Sequence, residues 1–222
     1  PRSLMTYKIY EGLDHLHLLN TAHTIAFDTE TTGLKPTRGG LRLLQFGCKT
    51  SKTIVLIDAW DLVEKGWEAV RQFCDTPRFW VAHNAVFDIG WLAEHDIHMR
   101  GNIRCTMLAS QILRNGRPGQ IRHSLAAVCE VFLNRKLDKT QQASDWGAPV
   151  LDEAQLIYAA KDVEVLLDVY DKLEEGLKRN GLLDSYALEC GAIEAVAEMQ
   201  RCGMPWSKDA LQQAVEDYGF DA

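Results

Sequence analysis

Asp28 and Glu30 close the run TIAFDTE (24–30), which reads as a short apolar strand. Side chains two apart on a strand share a face. Two neighbouring carboxylates repel and raise each other's pKa unless a cation sits between them. They could be loop-edge acids facing water. The apolar lead-in Ile25–Ala26–Phe27 argues instead for a semi-buried edge and a metal. Asp88 stands in HNAVFDIGWL, one turn into a helix that follows a strand ending at His83–Asn84. Alone it reads as a solvated helix acid, but Phe87, Ile89, Trp91 and Leu92 leave that helix a narrow polar face. Asp162 lies in YAAKDVEVLLDVY, four residues after Tyr158, and on a helix the two share a face. Such a pair is usually structural and matters only if the helix delivers it to the other acids. Four carboxylates at element edges are close to what two Mg²⁺ or Mn²⁺ ions need, because these ions prefer oxygen ligands. Two such ions can activate a water and stabilise the leaving oxygen of a phosphodiester.

The elements that must position these acids follow from the pattern. LRLLQFGCKT and KTIVLID read as a hairpin of two strands turning through Thr50–Ser51–Lys52. Helical spacing covers 61–74, FWVAHN (79–84) is a strand, and 85–94 is a helix. A strand around Ile103 leads into the helix TMLASQILR. Residues 115–119 form a loop, 124–133 a helix capped near Ser124 or His123, and 136–150 a polar loop. A long helix starts at Asp152, runs to about Arg179 and is stopped by Asn180–Gly181. One further helix spans 186–201, closed by Gly203 and Pro205, and Ser207 caps a last one. This order predicts an α/β fold with a mixed central β-sheet flanked by helices and a C-terminal helical tail.

Composition narrows the function classes. The 222 residues are 46% hydrophobic and 25% charged, ordinary for a globular chain. The net charge of −7 argues against a purely electrostatic nucleic-acid binder, yet suits an acidic site filled by cations. The six cysteines are scattered without a C-x-x-C pair, so reduced thiols in a cytosolic compartment are expected. The apolar stretches are too short to span a membrane, and the N-terminus lacks a signal-peptide core. A Walker A loop, H-E-x-x-H and G-x-S-x-G are all absent.

FDTETTGL (27–34), HNAVFDIGWL (83–92) and YAAKDVEVLLDVY (158–170) resemble the three motifs of the DEDD 3′–5′ exonuclease superfamily. The Tyr-x-x-x-Asp spacing marks its DEDDy branch, since Ile157 stands where the other branch has histidine. The resemblance implies an RNase H-like exonuclease fold, with Asp28, Glu30, Asp88 and Asp162 as ligands of two Mg²⁺ or Mn²⁺ ions. It makes Tyr158 the residue that orients the attacking water; a phenol is a poor base at its ordinary pKa near 10. It also places Thr31, Leu34, Asn84 and Phe87 against the substrate strand, although Phe87 reads equally as core. His83 is expected to make a local hydrogen bond. Arg114, Arg117, Arg122, Arg135, Lys136 and Lys139 form a basic stretch that either grips phosphates or is a solvated face. Trp146, in a polar loop, is the tryptophan available for base stacking.

Residues 20–178 carry the likeness, and HSLAAVCEVFL and LDKTQQASDWG resemble segments shared by RNase D-type enzymes and the proofreading domains of family A DNA polymerases. ALECGAIEAVAEMQRCGMPWSKDAL resembles the passage from exonuclease to polymerase in that family. The expected layout is an exonuclease domain over 1–180 and a helical segment over 181–222 resembling the start of a polymerase domain. The chain begins with Pro and stops within a helix, so it reads as part of a bacterial- or phage-type polymerase, cytoplasmic and followed by a polymerase domain. The implied activity is 3′–5′ hydrolysis of single-stranded DNA or a frayed 3′ end to nucleoside monophosphates, in proofreading. RNase D-like RNA trimming is the alternative. An inactive nucleic-acid-binding module is the reading of another class, and the presence of all the acids and the tyrosine gives it no support.

Overall fold

The computed structural model describes residues 7–116, 122–138, 140–141, 143–203 and 207–218. Six strands form one mixed sheet: β1 (Lys8–Glu11), β2 (Thr24–Thr31), β3 (Leu41–Cys48), β4 (Thr53–Asp58), β5 (Arg78–Ala82) and β6 (Gly101–Cys105). Their order across the sheet is β1-β4-β3-β2-β5-β6. Only β3 runs against its neighbours; β2 and β5, β5 and β6, and β1 and β4 pair in parallel. The helices are α1 (Glu64–Cys74), α2 (Ala85–Ala93), α3 (Thr106–Arg114), α4 (Leu125–Leu133), α5 (Glu153–Arg179), α6 (Leu183–Gly191), α7 (Ile193–Cys202) and α8 (Lys208–Tyr218). The expected α/β class, mixed sheet and helical tail are all present.

Each element forms for a local reason. β3 is buried along its whole length, and its apolar run LRLLQFGC matches a central strand covered on both faces. Lys52 takes the left-handed φ of 50° that closes the β3–β4 hairpin. Helix α5 opens with a capping box: the Asp152 carboxylate accepts from Gln155 N, and the Gln155 side-chain Oε1 accepts from Asp152 N. Its apolar face, including Val163, Leu166 and Val169, crosses the sheet over β2, β3 and β4. Gly47 of β3 makes that crossing close, because a Cβ there would overlap Val163 Cγ1. The sheet carries the acids of β2, and α5 brings Asp162 down onto them.

Two elements differ from the sequence expectation. β1 was not expected, since the four residues KIYE are too few to show a period. The single helix expected over 186–201 is two, α6 and α7, divided at Ala192 after Gly191. The division follows from packing. Helix α6 lies on β6, with the Tyr186 hydroxyl donating to the Cys105 carbonyl, while α7 turns away to lie on α2. Pro205 falls outside the described residues. The cysteines are free, and five of the six are buried. Among the described residues, no helix is long and apolar enough to cross a membrane.

Candidate active site

Strand β2 ends in the alternation Asp28–Thr29–Glu30, which puts the two carboxylates on one face and the Thr29 hydroxyl on the other. The pairing with β3 shifts register between Glu30 and Thr31, so the strand bends just past the second acid. Carboxylate oxygens of Asp28, Glu30 and Asp162 lie within 4.8 Å of one another. Asp88, in the first turn of α2, is 1% exposed and lies beside this group, with its Oδ1 accepting from the Thr29 hydroxyl at 2.7 Å. Asn84 supplies the turn into α2 in a left-handed conformation, φ 58°, which asparagine tolerates better than most residues. Asp88 is therefore aimed by that turn and held by Thr29.

The electrostatics are those of crowded, sheltered acids. Burial raises the Asp28 carboxyl well above its usual range, reinforced by Asp88, Glu30 and Asp162. Glu30 is pushed up to about 8 by burial, then by Asp162 and Asp88, against a lowering hydrogen bond from Gln45. Asp88 rises to about 7 through burial, opposed by Thr29. Tyr158 is driven far above the ordinary phenol range by burial and by the Asp162 carboxylate, to which it is hydrogen-bonded. The donor set is all carboxylate oxygen, uncompensated by any lysine or arginine among these causes. Such a set fits hard divalent cations and no soft metal.

Gln45 and Thr29 were not singled out from the sequence, and both act on the acids. Gln45 stands opposite Asp28 in the β2–β3 register and is fully buried. With its amide oriented to donate, Gln45 Nε2 reaches the Ala159 carbonyl of α5 at 2.9 Å and Asp28 Oδ2 at 3.3 Å. It ties the sheet acids to the helix that carries Tyr158 and Asp162. An amide inside LRLLQFGC was the available signal, since a buried polar group must find partners.

Asp28, Glu30, Asn84, Tyr158 and Asp162 line one open cavity of about 660 Å³, which Met107, Gln111, Arg122 and His123 also line. Leu34 and Phe87 line a neighbouring cavity of about 550 Å³ instead, bounded by Arg38, Val86 and α7. Leu34 is 87% exposed, and Phe87 packs partly into the core against Trp91. The Thr31 hydroxyl donates to the Gly33 carbonyl at 2.7 Å, so its proton is already committed within the loop. His83 makes the expected local hydrogen bond, to the Thr106 hydroxyl at 2.9 Å.

One expectation is corrected. Trp146 is 5% exposed and packs against Tyr158, ring centroids 6.5 Å apart, so it cannot stack on a base. Of the basic stretch, Arg122 lines the site cavity, whereas Arg135 pairs with Asp168 at 3.5 Å on the surface. Arg117 and Lys139 lie outside the described residues.

The comparisons with known proteins agree with this geometry. DNA polymerase I of Aquifex aeolicus is 35% identical over 168 residues, 75% of this chain and 26% of that protein. The exosome complex exonuclease RRP6 of Saccharomyces cerevisiae is 31% identical over 171 residues, 77% of this chain and 22% of that protein. The chain thus spans about a quarter of the length of these curated relatives. A structure of Brucella melitensis NrnC with bound Mg²⁺ superposes with a TM-score of 0.73 at 28% identity, covering 90% of this chain and 95% of that one. A family model described as 3′–5′ exonuclease matches residues 10–178. The chain belongs to the 3′–5′ exonuclease family, with the DEDD arrangement of acids on an RNase H-like fold.

Proposed function

We propose that this chain removes nucleoside monophosphates from the 3′ end of DNA, as a proofreading exonuclease that uses two divalent cations, Mg²⁺ or Mn²⁺. The observation that carries the chemistry is the convergence of Asp28, Glu30 and Asp162 within 4.8 Å beside buried Asp88, with the carboxyls of Asp28, Glu30 and Asp88 raised chiefly by burial. These four side chains would hold the cations. When bound, the ions supply an acidified water and a counter-charge for the leaving oxygen.

The chain's own groups do the rest. Asp28, Glu30 and Asp88 must give up the protons that burial and crowding hold on them, which makes loading depend on pH. Tyr158 stays protonated throughout the useful pH range, so its hydroxyl orients and does not act as base. Asn84 at the cavity wall and the Thr31 backbone would hold the terminal nucleotide, and exposed Leu34 would part it from its neighbour. Arg122, which lines the same cavity, would meet a backbone phosphate.

The likeness to a DNA polymerase I and the tail sequence support the DNA reading. In it, residues 1–180 are the exonuclease domain and 181–222 lead toward a polymerase domain, in the cytoplasm of a bacterial or phage-infected cell. The likeness to RRP6, an exosome exonuclease, supports RNA trimming as the second reading. Degradation of matched DNA and RNA oligonucleotides separates them: faster shortening of RNA would refute the DNA assignment.

A further inference from the structure

The segment 144–151 lies between the loop and α5 and is fastened at both ends. At one end, Gln155 Nε2 donates to Ser144 Oγ and to the Asp145 carbonyl, each at 3.1 Å. At the other, Arg42 of β3 donates to the Ala148 carbonyl at 2.7 Å and to the Pro149 carbonyl at 3.5 Å. A tight turn between them is closed by Gly147 N donating to Asp145 Oδ1 at 2.9 Å.

Arg42 itself is 1% exposed, paired with Asp58 at 2.8 Å, and lies 4.0 Å over the Trp60 ring. A largely buried ion pair is a poor device for stability, because desolvation offsets much of its attraction. It is a good device for register, since the guanidinium accepts few geometries. What the two anchors hold in register is Trp146, whose ring lies against Tyr158. The indole N–H has no hydrogen-bond acceptor among the described residues. Among the described residues, the ring is therefore placed by the strap and not by a hydrogen bond of its own.

We propose that residues 144–151 form a strap, anchored by Arg42 and Gln155, that uses Trp146 to fix the Tyr158 phenol toward Asp162. Arg42 and Trp146 are thus positioning residues for the reaction, and this role rests on the exonuclease reading. Both anchors sit on the elements that carry the site: Arg42 is three residues before Gln45 on β3, and Gln155 is three before Tyr158 on α5. A loosened strap lets the phenol rotate while leaving the four acids in place. The rate of the chemical step then falls, and substrate and metal affinity do not.

The test compares Arg42→Met, Trp146→Ala and Trp146→Phe, each alone and combined with Tyr158→Phe. The readouts are single-turnover rate, KM, Mn²⁺ affinity by electron paramagnetic resonance, and the ¹³Cζ NMR signal of Tyr158, assigned by its loss in Tyr158→Phe. Arg42→Met and Trp146→Ala should lower kcat about 10- to 100-fold, the usual scale for a misplaced catalytic group. KM and Mn²⁺ affinity should hold within about twofold, and the change should vanish in the Tyr158→Phe background. The Tyr158 signal should move in Arg42→Met although Arg42 does not touch it. Trp146→Phe, which keeps a ring and packing, should recover much of the rate and give an intermediate signal, and it stands in if Arg42→Met does not fold. Losses that add to that of Tyr158→Phe, or an unmoved Tyr158 signal, would overturn the proposal. If the wild type cuts neither DNA nor RNA while the signal still moves, the exonuclease reading fails and the mechanical coupling stands.

Discussion

Replacing Glu30 by glutamine separates metal-binding acids from structural ones. In the metal-free protein the Glu30 carboxyl titrates at about 8 against 4.5 in an unfolded chain, mainly through burial and then Asp162 and Asp88. At pH 7 the unfolded chain has released this proton and the folded one still holds it. The gap between those two pKa values, counted up to pH 7, corresponds to about 3 kcal/mol against folding. Glutamine keeps the size and the partner Gln45 but removes the titration, at some cost for burying its amide. A net gain of about 1 to 3 kcal/mol remains, or a rise in Tm of about 2 to 10 °C for a chain of this length. The assay is calorimetric melting in EDTA and in Mg²⁺, with nuclease activity measured alongside. Glu30→Gln should melt higher than wild type in EDTA, should lose most of the wild type's Mg²⁺-dependent stabilisation, and should be inactive. A Tm lowered by several degrees in EDTA would refute the reasoning, because Glu30 would then be a satisfied structural acid.

Other outcomes follow from the same geometry. The metal-free wild type should lose stability as pH rises from about 4 to about 8, because Asp88 and Glu30 hold protons in the folded state that the unfolded chain has released. Mg²⁺ should flatten that slope, as a melting series in both conditions would read. Thr29→Val removes the 2.7 Å hydrogen bond to Asp88, so it should raise the pH at which activity appears while leaving the oligonucleotide KM unchanged. Gly47→Ala forces α5 away from β3 at Val163 and should cost about 1 to 3 kcal/mol in denaturant unfolding. Tyr158→Phe should lose less activity than Asp28→Ala or Asp162→Ala, because it orients and does not hold metal; equal losses would contradict that division.

Asp28, Glu30 and Asp162 were legible in the sequence because they sit in strong local patterns, whereas Asp88 alone reads as a solvated helix acid. Asp28 and Glu30 close an apolar strand, and Tyr158 and Asp162 share a face of an unbroken amphipathic helix. Their convergence was not legible locally, since it depends on how closely α5 crosses β3, which Gly47 sets. Gln45 was hidden for the same reason: its meaning comes from standing opposite Asp28 across the sheet. Trp146 was misread because a polar loop predicts exposure, whereas the anchors that bury it, Arg42 and Gln155, are remote in sequence or inside a helix. Strand β1 is too short to show a period, and the break between α6 and α7 is set by two different packing partners.

The most direct test of the central claim is degradation of a 5′-labelled single-stranded DNA and the RNA of the same sequence, in Mg²⁺, in Mn²⁺ and in EDTA. The account predicts DNA shortened stepwise from its 3′ end, abolished by EDTA and by Asp28→Ala, with RNA cut more slowly. Shortening that persists in EDTA or in Asp28→Ala, or the absence of any shortening with both metals, would contradict it.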